Sequence, residues 1–116
     1  MLSHTIEGGV LVIRLRSDPD TDERAALALA ISDLVHTYRQ YPVVITLDGE
    51  AATSAAVSAV IRAHHMCNHL GVVMSVATDS APARRLLEAN ADTGGTRMVI
   101  HARVDTAITA AFAAAA

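Results

Sequence analysis

Ser54 is the residue best placed for chemistry, because it opens a predicted helix soon after a predicted buried strand. Val43, Val44, Ile45 and Leu47 form a short β-branched, apolar run that Asp48-Gly49 ends. After Ser54, apolar residues recur at helical spacing. A serine at a helix start can cap the first turn, and an exposed hydroxyl there can also accept a phosphate without opposing the helix dipole. Both roles stay open for Ser54.

Three histidines and one cysteine follow on the same predicted helix. His64, His65 and His69 raise the possibility of a metal site, but no acidic residue or cysteine stands at a suitable spacing to complete it. Helical spacing after Val57, Val60 and Ile61 puts either His64 or His65 on the buried face. Of the two we expect His65 to pack, while His64 and His69 are solvated. Cys67 is predicted to belong to the core or its edge, since no base and orienting group accompany it. The residues therefore predict no catalytic site, no metal and no cofactor.

Composition limits the classes of partner. The 116 residues predict a single domain over 1–116, with an ordered core at about 4–112, built from aliphatic side chains because the chain is 52% hydrophobic and 3% aromatic. The formal net charge of −3 gives no basic footprint for nucleic acid. One cysteine excludes an internal disulfide, and neither a signal segment nor a run long enough to cross a membrane is present. We expect a cytoplasmic protein without membrane insertion, and we leave its oligomeric state open, a homodimer included.

The predicted element order is β, β, α, β, α, β, α, β, α. The strands are expected at residues 4–7, 10–16, 43–47, 72–77 and 98–101. The helices are expected to begin at Thr21, Ser54, a Ser80 cap and an Asp105 cap, and Gly71 is expected to end the second. Strands joined through a helix should be parallel, so this order predicts an α/β domain with a mixed sheet of about five strands and four to five helices.

The periodicity also predicts which apolar side chains are buried. Leu86 is expected to face inward beside Leu87, and the terminal helix is expected to carry Ile108, Ala111 and Phe112 on its apolar side. The main predicted core consists of Leu27, Ile31, Leu34, Ile45, Leu47, Val57, Val60, Ile61, Val73, Val76 and Leu87.

From about His4 to about Ala111, this order and several local phrases resemble the STAS domain of bacterial anti-sigma factor antagonists. In that family a phrase like Asp-Ser-Ser-Gly-Leu-Gly opens the second helix, and here residues 53–58 are Thr-Ser-Ala-Ala-Val-Ser. Residues 12–20, which end in Asp20, resemble the family's strand and following acid, and residues 71–76 resemble its glycine-led fourth strand. Thr53 stands where the family has an acid, and Ala56-Val57 replaces its Gly-Leu pair.

The resemblance implies a non-enzymatic switch. Ser54, or alternatively Thr53, would be phosphorylated by an anti-sigma factor with serine kinase activity, which would itself supply ATP and magnesium. The partner-binding residues implied are Asp20, Asp48, Glu50, Thr53, Ser54, Ala55, Ala56 and Ser58. The departures from the family phrase keep an alternative open: a phosphorylation-independent interaction or scaffold module, including a subunit of a transport assembly. A small hydrolase or metal enzyme that uses the histidines is the third class, supported by spacing alone.

Overall fold

A computed structural model describes residues 2–15, 24–48, 54–90 and 98–115, with the backbone alone at Arg24, Ser54 and Asn90. The strands are β1 Leu2–Glu7, β2 Val10–Leu15, β3 Val43–Leu47, β4 Met74–Ala77 and β5 Val99–His101. The helices are α1 Arg24–Thr37, α2 Ser54–Leu70, α3 Ala81–Asn90 and α4 Val104–Ala115. The sheet has the order β1-β2-β3-β4-β5. β1 pairs with β2 antiparallel, and each later pair is parallel. The predicted α/β fold class is confirmed.

The β1–β2 connection is a two-residue turn made by Gly8 and Gly9. Their φ angles are 58° and 77°, in the left-handed region that a tight hairpin of this kind needs at both central residues. The turn brings Glu7 opposite Val10, and the register then runs through to Leu2 opposite Leu15. The prediction of a Gly-Gly hairpin is confirmed.

Alternation along the strands divides the core between the two faces of the sheet. On one face, Leu11, Ile13 and Ile45 join a cluster with buried residues of α1, α2 and α3. On the other, Val10, Val12, Val44 and Ala77 pack with residues of α4. Each of α1, α2 and α3 joins neighbouring parallel strands, and right-handed crossovers in one direction across a sheet place such helices on the same face. The result is three layers, with the sheet between three helices and one.

Backbone geometry at two helix ends agrees with the sequence. Gly71 follows α2 with φ of 70°, and the Val72 N–H donates to the Cys67 carbonyl at 2.9 Å, as in a glycine-terminated helix. The Ala83 N–H donates to Ser80 Oγ at 3.2 Å, so Ser80 caps α3 as predicted. Asp105 lies one residue inside α4 rather than before it, because the helix begins at Val104. The predicted start at Thr21 lies outside the described residues.

Several burial predictions were wrong. Val73 precedes β4, and its side chain is 36% exposed although its carbonyl accepts a hydrogen bond from Val43. Leu86 is 37% exposed because Ala83 and Leu87, one turn apart, form the buried side of α3. Phe112 is also exposed. Leu34 and Ile61 are partly buried and pack against the core, in keeping with the prediction. The other residues of the main predicted core are buried.

Candidate functional site

The junction between β3 and α2 is where the sequence places the candidate site. β3 is the middle strand of the sheet, and its parallel pairing with β2 and β4 puts the carboxyl ends of these strands at one edge. β3 ends at Leu47, Asp48 is exposed directly after it, and α2 begins at Ser54. The backbone of Ser54 is therefore in the first turn of a 17-residue helix, where the unpaired N–H groups and the dipole favour negative charge.

Some of the predicted partner-binding residues lie outside the described part of the chain, and others are exposed on it. Asp20, Glu50 and Thr53 lie outside the described residues, and Ser54 is described by its backbone alone. Asp48 and Ser58 are exposed, with Ser58 one helical turn after Ser54.

Ala55 and Ala56 require a correction. They are 6% and 0% exposed, so their side chains belong to the interior and give no surface to a partner in this conformation. The buried side of α2 thus begins within its first turn, where Ala56 joins the same core cluster as Ile45 and Val57.

A depression of about 530 Å³ adjoins this junction along the carboxyl edge. The end of β3 and the residue after it line the depression from Thr46 to Asp48. β4 contributes Ala77 and the two residues after it, and residues 102–105, which include the start of α4, complete the lining. Sequence reasoning did not single out Thr78, Asp79 or Arg103. The parallel strand order could have found them, since residues that follow neighbouring parallel strands meet at the same edge.

The depression carries charges of both signs. Arg103 Nη2 lies 2.8 Å from Asp105 Oδ2, in an exposed ion pair. The Thr106 N–H, which donates to Asp105 Oδ1 at 2.8 Å, and the nearby Arg103 lower the pKa of the Asp105 carboxyl. Asp48 and Asp79 are both exposed. Thr78 is buried and its Oγ1 accepts a hydrogen bond from the Ser80 N–H at 3.2 Å, which holds the turn into α3. The depression is therefore open to water and lined by both charged and apolar side chains.

The histidines of α2 are arranged differently from the prediction. His64 is 4% exposed, and burial, with a smaller contribution from His65, lowers the pKa of its imidazole. His65 and His69 are exposed. The expectation that His65 packs and His64 is solvated was therefore wrong. Positions 60 and 64 share a helix face, so His64 continues the buried row of Val60.

Cys67 belongs to the core, as predicted. It is 0% exposed, and burial raises the pKa of its thiol to about 11. A thiol with so little thiolate is a poor nucleophile near neutral pH. Across residues 2–15, 24–48, 54–90 and 98–115, no three or more His, Cys, Asp or Glu side chains are grouped so that they could hold a metal ion.

No family model matches the chain, and a comparison with curated proteins finds no match. Within the described segments, no helix combines the length and the apolar character needed to cross a membrane.

Proposed function

We propose that the protein is a STAS-like anti-sigma factor antagonist. In its unmodified form it binds an anti-sigma factor with serine kinase activity, and phosphorylation of Ser54 weakens that complex. The observation that carries the proposal is the start of α2 at Ser54, seven residues after β3 ends at Leu47, at the carboxyl edge of the middle strand. The protein acts in the cytoplasm and has no catalytic activity of its own, and the kinase supplies ATP and magnesium.

The physical basis of the switch is a local change of charge. A phosphate adds about −1.5 to −2 charges near pH 7, and the first turn of α2 tolerates it in the free protein because the helix N-terminus is positive. In a complex, the same phosphate loses water, and this costs binding free energy unless a basic group of the partner meets it. Among the described residues that line this edge, Asp48, Asp79 and Asp105 place three carboxylates there, and Arg103 is already paired with Asp105.

Phosphate transfer and binding measurements test the proposal. The protein is incubated with ATP and candidate anti-sigma kinases from its own organism, and any phosphate is located by mass spectrometry. We expect modification of Ser54, and binding that weakens at least about tenfold on phosphorylation, a difference of about 1.4 kcal/mol. Ser54→Ala should bind but not respond to ATP. Thr37→Ala is the matched control: its hydroxyl residue is exposed at the end of α1, outside the predicted partner-binding residues, and the variant should be phosphorylated and released like the wild type.

A different result would favour the second candidate. If a kinase binds tightly but leaves Ser54 and Thr53 unmodified, the switch is refuted, and a phosphorylation-independent interaction module accounts for the binding. Thr53 in place of the family's acid is the observation that favours this candidate. Thr53→Val separates the two hydroxyls, because it abolishes labelling only if Thr53 is the acceptor.

A further inference from the structure

The exposed surface of α2 carries two imidazoles one helical turn apart. α2 is continuous from Ser54 to Leu70, and both His65 and His69 are exposed on it. Residues four apart on a helix have Cβ atoms about 5–6 Å from each other on the same side. The neighbouring His64 is buried and cannot take part without disturbing the core. This arrangement follows from the structure, since the sequence had suggested that His65 packs.

We propose that His65 and His69 together bind a divalent transition-metal ion of the Zn²⁺ type. Neutral imidazole nitrogen is a common ligand of Zn²⁺, with a bond of about 2.0–2.1 Å, and two rings projecting from successive turns can reach the same ion. Two protein ligands leave the remaining positions to water. The site is therefore weaker than a structural zinc site with four protein ligands, and it remains open to a further ligand.

Three other histidines lie on other elements: His4 on β1, His36 on α1 and His101 at the end of β5. His36 Nδ1 lies 2.8 Å from the Ser32 carbonyl oxygen, and the His4 ring lies 5.5 Å from the Tyr38 ring. The His65 ring contacts the His64 ring, with centroids 6.3 Å apart. Binding a metal requires the exposed His65 ring to turn from His64 toward His69, which is a change of side-chain rotamer and leaves the helix backbone intact.

Arg62 tests whether a nearby positive charge weakens metal binding, as the proposal requires. It is exposed on α2, three residues before His65, and positions three apart are neighbours on a helix. Its positive charge opposes a bound dication across about one and a half turns. At a separation of about 8 Å, water and salt screen most of the repulsion between the two charges. Removing the charge of Arg62 should therefore strengthen metal binding only about twofold.

The experiment titrates the untagged protein with Zn²⁺ and follows heat and the NMR resonances of the histidine side chains. Wild type should bind one equivalent, and His65 and His69 should be the rings whose resonances shift first. His65→Gln and His69→Gln should each weaken binding at least about tenfold. Arg62→Gln should strengthen it about twofold. His36→Gln, which replaces an exposed histidine of α1, is the matched control and should bind Zn²⁺ like the wild type.

The proposal is overturned if the protein shows no saturable binding up to about 1 mM Zn²⁺, an affinity too weak for a defined site. It also fails if either His65→Gln or His69→Gln keeps wild-type affinity. Circular dichroism of each variant verifies that the helices are intact, and both substitutions are at exposed positions where folding should be unaffected.

Discussion

Gly9→Ala tests how the β1–β2 turn and α4 fit together. Gly9 has a φ of 77°, and a Cβ at this position would lie 2.8 Å from both Cδ1 and Cε1 of Phe112. The left-handed conformation costs an alanine about 1–2 kcal/mol relative to glycine. The overlap adds to this, although Phe112 is 55% exposed and its ring can move toward solvent, so we take the low end of the overpacking range, about 1 kcal/mol. The free energy of unfolding should fall by about 2–3 kcal/mol.

A double-mutant cycle separates the two costs. Unfolding in urea is measured for wild type, Gly9→Ala, Phe112→Ala and the double variant. Phe112→Ala removes the overlap and leaves the φ cost, so the double variant should be about 1 kcal/mol more stable than the sum of the single changes predicts. Gly8→Ala is the matched control. Its φ is 58°, and its Cβ would meet Ile108 Cγ2 at 3.2 Å, so Phe112→Ala should give it no relief.

The result that would refute this reasoning is an additive cycle for Gly9 and Phe112, with a coupling below about 0.3 kcal/mol, the usual error of additivity. The end of α4 would then not lie against the turn. A Gly9→Ala variant as stable as wild type would also contradict the positive φ at this position.

Three further predictions concern the core. Ile45→Ala should lower the free energy of unfolding by about 2–5 kcal/mol, and Ile61→Ala should lower it by less, because Ile45 is 0% exposed and Ile61 is partly buried. Equal losses for the two variants in urea unfolding would contradict this. The pKa of His64 is lowered in the folded state, so the unfolded chain binds more protons and the free energy of unfolding should fall as the pH drops below about 6.5. The fall should be less steep in His64→Gln. Identical pH profiles for the two proteins would argue against a buried His64. Cys67 should resist alkylation near neutral pH until the protein unfolds, and rapid native-state labelling, followed by mass, would contradict its burial and its pKa of about 11.

The strands and helices could be predicted because local signals agree with the fold. The β-branched run at 43–47 is buried on both faces, between α4 and the three-helix layer, and a continuous apolar strand is typical of that position. Gly8-Gly9 and Gly71 mark a turn and a helix end for the same reason, a positive φ. These signals need no knowledge of which element lies beside which.

The orientation of individual side chains was harder to predict, because it depends on neighbours that the sequence does not name. α2 contacts α1, α3 and β4, so its buried arc is wider than a single apolar stripe. Ala55, Ala56 and His64 fall within that arc, although neither small size nor a polar ring indicates burial by itself. Asp20, Glu50 and Thr53 of the candidate site lie outside the described residues.

The two proposed activities of α2 are separated along its axis. Ser54 is the first residue of the helix and His65 is eleven residues further, a distance of about 16 Å at a rise of 1.5 Å per residue. This is about twice the screening length of physiological salt, so a dication held by His65 and His69 has little direct electrostatic effect on a phosphate at Ser54. The wide buried arc of α2 holds the helix against its neighbours between these points. Loss of one activity by substitution therefore leaves the other measurable, and each proposal can fail without affecting the other.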